Sequence, residues 1–161
     1  MIYYNYINTP VGDIELAVAD GGLISVLFVN TLKKALIKHE ASPHPLLIET
    51  EKQLLAYFNK TLTHFDLPIS LEGTAFQKRV WNQLTKIPFG KTISYLELAK
   101  QLGDEKCIRA AASANGKNPI SIIIPCHRVI GSNGKLVGYS GDMERKSFLL
   151  THEGSYQDLF S

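Results

Sequence analysis

The chain opens with apolar and polar residues in alternation. "IYYNYI" (2–7) is rich in strand formers, "NTPVG" is a turn cluster, and "DIELAV" places Ile14, Leu16 and Val18 on one face. After the turn "ADGG", the run "LISVLFV" aligns Ile24, Val26 and Phe28, so the first 30 residues predict an antiparallel meander. "PHP" at 43–45 breaks the chain before a helix near 46–59, where Leu47, Leu54 and Phe58 recur on one side with Ile48 and Leu55 beside them.

"THFDLPISLEG" then predicts an extended linker. From Thr74 the period becomes helical: Phe76, Val80 and Leu84 are four apart before "IPFGKT" stops that helix. Ser94 with Glu97 three residues on is a capping box, which starts the next helix at Tyr95. Its stripe is Tyr95, Leu98, Ala99 and Leu102, and Gly103 ends it. Asp104 caps a second helix, "EKCIRAAASA", and the pair matches a helix-turn-helix. "GSNGKLVGYSG" follows as a hairpin with Asn133–Gly134 at its turn, a wing to that motif. The predicted class is α/β (α+β): an N-terminal antiparallel sheet and helix over 1–68, then a mainly helical domain over 74–161 with a winged helix-turn-helix.

The 161 residues suffice for one domain or two small ones, and 45% hydrophobic with 20% charged content predicts a packed core. No apolar run approaches a membrane span, and "MIYYNYINTP" lacks a secretion-signal pattern, so a cytoplasmic protein is expected. The net charge of +2 is uneven: residues 1–73 carry 5 lysines against 8 carboxylates, whereas 74–161 carry 12 basic residues against 7. The second half therefore suits an anionic surface, although an ordinary solvated face fits the same balance. Two cysteines, Cys107 and Cys126, make neither a disulfide scaffold nor a Cys-rich zinc site.

"PISIIIPCHRV" delivers Cys126 from an isoleucine run that Pro125 ends. Such a thiol is either one more buried core residue or a rigidly held nucleophile. A reactive thiol needs a base or a positive field, and His127 and Arg128 follow directly. In "THEG", Glu153 is placed to orient His127 as a third group, or to end a helix as a solvated charge. Asn118, before Pro119, is a turn residue or a brace for the cysteine backbone. The second helix is smooth, with Ala110, Ala111, Ala112, Ser113 and Ala114 behind Arg109. It carries few of the side chains that read bases in the major groove, and small residues permit close approach to a narrow groove or a neighbouring helix.

Together, "FQKRVW", "IPFGKTISYLELA", "IRAAASANGKNP", "IPCHRVIGSNGKLVGYSG" and "LLTHEG" resemble the O6-alkylguanine-DNA alkyltransferases, from Thr74 to Gly154. The resemblance implies binding of double-stranded DNA by the minor groove and flipping of an O6-alkylguanine out of the stack. It implies irreversible, stoichiometric transfer of a methyl or larger alkyl group from O6 of guanine, with O4 of thymine a second substrate, to Cys126. Cys126, His127, Glu153 and Asn118 are the implied catalytic group, His127 acting as base through a water. Arg109 would insert where the base was, and Tyr95 would contact the flipped base. Ala110, Ala114, Val129, Ser132, Tyr139 and Ser140 complete the implied DNA and lesion surface. No cofactor, metal or membrane is implied, and a monomer is expected off DNA.

The sequence departs from that pattern in Ala112 and Ser113, where glycines are usual, and in Asp142, which bear on DNA affinity and on the range of alkyl groups. A recognition module that binds the lesion without repair would lack the cysteine. A Cys-His hydrolase would need an oxyanion hole and no helix-turn-helix. A transcriptional regulator would need base-reading side chains on the second helix.

Overall fold

The computed structural model describes residues 1–29, 39–134, 136 and 143–155. The chain divides into two units, Met1–Glu72 with Pro119–Ser121, and Gly73–Asn118 with Ile122–Ser161.

In the first unit, β1 (Tyr3–Thr9), β2 (Gly12–Ala19) and β3 (Gly22–Phe28) form an antiparallel sheet in the order β1-β2-β3. Thr9 closes the first turn, its hydroxyl donating to the Gly12 carbonyl at 2.7 Å and accepting from the Val11 amide. Gly22 has φ +135°, and a Cβ there would sit 2.7 Å from the Pro68 carbonyl oxygen. Only glycine serves this turn, because the linker runs against β3: the Leu23 amide donates to Pro68 and the Ser70 amide to Leu23. Pro119–Ser121 pairs with β3 in the same way, through the Val26 amide and carbonyl.

Ile14, Leu16 and Val18 are fully buried, as their alternation predicts. In β3 the expected face holds only in part: Val26 is fully buried, whereas Ile24 and Phe28 are half-buried. A bulge between Ala17 and Val18 shifts the register so that Val18 opposes Leu23, which is fully buried while Ile24 is half-buried. Helix α1 (Pro45–Phe58) packs on the sheet, with His44 as N-cap accepting from the Leu46 amide. Its buried stripe is Leu47, Thr50, Leu54 and Tyr57, three and four apart. The expected stripe is thus corrected: Phe58 is half-buried, and Ile48 and Leu55 face out.

In the second unit, Thr74 caps α2 (Ala75–Leu84) through a reciprocal box with Gln77. Val80, Trp81 and Leu84 are its buried face, and the expected Phe76 is only half-buried. Ser94 caps α3 (Tyr95–Gln101) by accepting from the Glu97 amide. Asp104 caps a short 3-10 turn, Glu105–Cys107, which leads into α4 (Ile108–Gly116). Trp81 ties α2 to α4, its indole N–H donating to the Ala114 carbonyl at 2.9 Å. β4 (Ile93–Ser94) pairs in parallel with β5 (Val129–Ile130), and α5 (Met143–His152) buries Lys146, Leu149 and Leu150. After β5 the chain turns at Gly131–Gly134, where the Gly134 amide donates to the Gly131 carbonyl. The returning arm of the expected wing lies outside the described residues. No described helix is long and apolar enough to cross a membrane.

Candidate active site

The isoleucine run is a buried turn rather than a strand. Ile122 has φ +70°, a left-handed conformation that costs a β-branched residue about 1–3 kcal/mol. Asn118 offsets this strain by donating from Nδ2 to the Ile124 carbonyl at 2.7 Å, and the Cys126 amide donates to the same oxygen at 2.8 Å. Asn118 therefore braces the turn that ends in the thiol. Its side chain also hydrogen-bonds the Cys126 sulfur, favouring the thiolate.

Cys126, His127 and Arg128 form one 3-10 turn, all buried. Burial pushes the Cys126 thiol above its ordinary range, against Asn118 and the positive charge of Lys146. His127 is fully buried, and its Nε2 lies 2.8 Å from Glu153 Oε2. Burial lowers the imidazole pKa, only partly opposed by Glu153, so the ring is neutral at pH 7. A neutral ring beside a carboxylate carries its hydrogen on Nε2, leaving the Nδ1 lone pair as acceptor. His127 Nδ1 is buried and has no hydrogen-bond partner among the described residues.

Glu153 is held by Arg128 from the other side. Arg128 Nε meets Oε1 at 2.8 Å, its second amino group meets Oε2 at 3.0 Å, and its remaining amino group donates to the Ile87 carbonyl. Burial alone would raise the Glu153 pKa, but the hydrogen bond to His127 and the hydrogen bonds and charge of Arg128 prevail and hold it far below the usual carboxylate range. Of the two readings of Glu153, the buried partner of His127 is the one the geometry has.

Tyr95, the first residue of α3, is 8% exposed, and its hydroxyl is pushed up to about 12 by burial and by the neighbouring Cys126. On α4, Arg109, Ala110 and Ser113 are exposed together, whereas Ala111, Ala114 and Asn115 face inward. Ala114 thus lies on the packed side of the helix, beneath Trp81. Val129 is buried in β5 and Ser132 is exposed in the following turn. Tyr139, Ser140 and Asp142 lie outside the described residues.

Two residues of this site escape the sequence reading. Lys146 is fully buried in α5, donates to the Val129 carbonyl at 2.6 Å and lies 5.7 Å from the Tyr95 ring centroid. Burial lowers it to about 8, against the pull of Cys126. The available signal is its position three and four residues before Leu149 and Leu150, on the apolar stripe of α5. Asn115, 1% exposed, donates to the Cys126 carbonyl at 3.3 Å.

Two family models match this chain. The 6-O-methylguanine DNA methyltransferase DNA binding domain matches residues 75–155, and the ribonuclease-like domain of the same family matches 2–71. The chain belongs to the 6-O-methylguanine DNA methyltransferase family. Among its relatives, the methylated-DNA–protein-cysteine methyltransferase of Methanosarcina acetivorans is 46% identical over 155 residues, covering 96% of this chain and 99% of that one. The O6-methylguanine methyltransferase of Mycobacterium tuberculosis has a solved structure, 41% identical, with a TM-score of 0.82 over 99% of this chain and 96% of that one. A structure of the M. tuberculosis OGT in complex with DNA matches with a TM-score of 0.83 at 42% identity, over 95% of this chain and 93% of that one. Among the described residues of this family member, no cluster of three or more His, Cys, Asp or Glu is arranged to hold a metal ion.

Proposed function

We propose that this protein reverses O6-alkylation of guanine in double-stranded DNA by moving the alkyl group onto Cys126. The observation that carries this reading is buried His127, next in sequence to buried Cys126 and bound at Nε2 to buried Glu153. A neutral imidazole is fixed by a carboxylate at one nitrogen, and its other nitrogen stands ready as a base.

The reaction proceeds by in-line displacement. His127 Nδ1 takes the thiol proton through a water, and the thiolate sulfur attacks the alkyl carbon. The carbon–sulfur bond forms as the carbon–O6 bond breaks, and the electron pair leaves with guanine. Guanine then takes a proton from water, and His127 returns its own. A thioether is inert to water and to a general base at neutral pH, so each molecule acts once, on methyl or larger alkyl groups and on O4-alkylthymine as well. No cofactor or metal takes part.

α4 presents Arg109, Ala110 and Ser113 to the DNA, smooth enough for the minor groove, and the small Ala114 keeps the helix close to its own core. Arg109 fills the gap left by the flipped nucleotide. Tyr95, Val129 and Ser132 meet the base, a task that the family resemblance extends to Tyr139 and Ser140. The protein works in the cytoplasm and is monomeric off DNA.

The test is a count of lesions removed. A duplex with one O6-methylguanine in excess over protein should lose one lesion per protein and then stop. Continued loss would mean a turning-over enzyme and would end this reading.

A further inference from the structure

The segment "IPFG" (87–90) does more than stop α2. The Ile87 amide donates to the Leu84 carbonyl at 3.0 Å and the Lys91 amide to the Pro88 carbonyl at 3.1 Å, so Pro88 to Lys91 is a tight turn with Phe89 and Gly90 at its centre. Gly90 has φ +81°, the left-handed value that the third position of a type II turn requires. A Cβ at Gly90 would sit 3.2 Å from the Glu153 backbone oxygen, so the turn lies close against the chain just after α5.

The same segment meets Arg128 twice. The Ile87 carbonyl accepts from one terminal amino group at 2.6 Å, and the guanidinium carbon lies over the Phe89 ring, 5.8 Å from its centroid. A guanidinium donates hydrogen bonds only in its own plane, so a ring can stack on it without displacing a partner. Phe89 is half-buried whereas Arg128 is 6% exposed, so the ring is the more exposed of the two. Glu153 Oε2 meets both His127 Nε2, at 2.8 Å, and Arg128, at 3.0 Å. The Arg128 fork sets the plane of the carboxylate, and with it the direction from which Oε2 meets His127.

We propose that Phe89 is a positioning residue for alkyl transfer: by covering the Arg128 guanidinium it keeps the Glu153 carboxylate aimed at His127 Nε2, which leaves Nδ1 as the base. The inference rests on the transferase reading above. Without the ring, water reaches the guanidinium and competes with Glu153 for its N–H groups. The carboxylate then turns, the imidazole hydrogen is divided between the two ring nitrogens, and the thiol proton has a poorer acceptor.

Phe89→Leu keeps apolar bulk and removes the ring. It should slow methyl transfer from an O6-methylguanine duplex on the order of fivefold. Alkylation of Cys126 by iodoacetamide, which uses the same base without DNA, should slow to the same degree. Phe89→Tyr retains the ring and should stay within about twofold of the parent in both reactions. In a Glu153→Gln background Phe89→Leu should cost less than about twofold, because its route of action is already gone. Phe89→Met gives the same comparison should the leucine variant fold poorly. NMR of the imidazole nitrogens follows the tautomer without any activity, and serves should the double variant fold poorly. The His127 signals, assigned by their loss in His127→Gln, should report the Nε2–H tautomer in the parent and in Phe89→Tyr, and a mixture of tautomers in Phe89→Leu.

Transfer slowed while iodoacetamide alkylation is unchanged would place the effect at the DNA and overturn the proposal. So would an equal loss in Phe89→Tyr, an undiminished cost in the Glu153→Gln background, or the same tautomer in every variant. In each case methyl transfer by the parent protein leaves the transferase reading standing. A parent protein that takes no methyl group would overturn both.

Discussion

Both carboxylate oxygens of Glu153 are held by Arg128, through Nε at 2.8 Å and a terminal amino group at 3.0 Å. Arg128 is 6% exposed and Glu153 5%, so the pair is a buried one whose members depend on each other. Arg128→Met should destabilise the protein by about 3–5 kcal/mol in urea unfolding, because it strands a buried charge. Arg128→Met with Glu153→Leu should recover much of that loss while abolishing transfer. Stability and activity then separate at the same two positions.

Acid should weaken the fold in two stages. The pKa of buried His127 is lowered from 6.5, so the unfolded chain binds more protons as pH falls through about that value. Glu153 is held below its ordinary 4.5, so its contribution is present above that pH and is lost as pH falls towards its folded value. Urea midpoints should therefore decline from pH 7 downward, and more steeply below about pH 4.5. Replacing His127 by Gln should remove the first stage and leave the second.

Lys146 lends its charge to the thiolate and holds the Val129 carbonyl. Lys146→Met should move the pH profile of Cys126 alkylation by iodoacetamide upward. Transfer should fall on the order of tenfold, as expected when one charged hydrogen-bonding group leaves a site. An unmoved profile would mean that Lys146 only packs.

Gly22→Ala tests the sheet. With φ +135° and Pro68 oxygen 2.7 Å from the added Cβ, the variant should lose about 2 kcal/mol or more of stability. It should leave the transfer rate of the folded fraction unchanged.

The elements most legible in the sequence are those set by neighbours in the chain. Ser94 and Asp104 announce their helices because a cap is a contact across two or three residues. "PCHRV" with Asn118 upstream and Glu153 downstream marks the site, because the residue types that activate a thiol are few. Tertiary choices were not legible. A bulge decides that Leu23 is buried rather than Ile24, and α1 turns Tyr57 inward where the spacing favours Phe58. Lys146 and Asn115 have no part in the sequence reading, because only packing buries them beside this site. Arg128 reads as positive charge beside the thiol, but its buried partner Glu153 lies 25 residues away and only the fold pairs them.

The central claim is that one sulfur receives the alkyl group. A duplex carrying O6-(trideuteromethyl)guanine, incubated with the protein and followed by peptide mass mapping, tests it directly. The label should be found on the peptide containing Cys126, one per molecule, with Cys107 unlabelled and no label taken up by Cys126→Ala. Label on Cys107, or lesion loss with no label on the protein, would contradict the account.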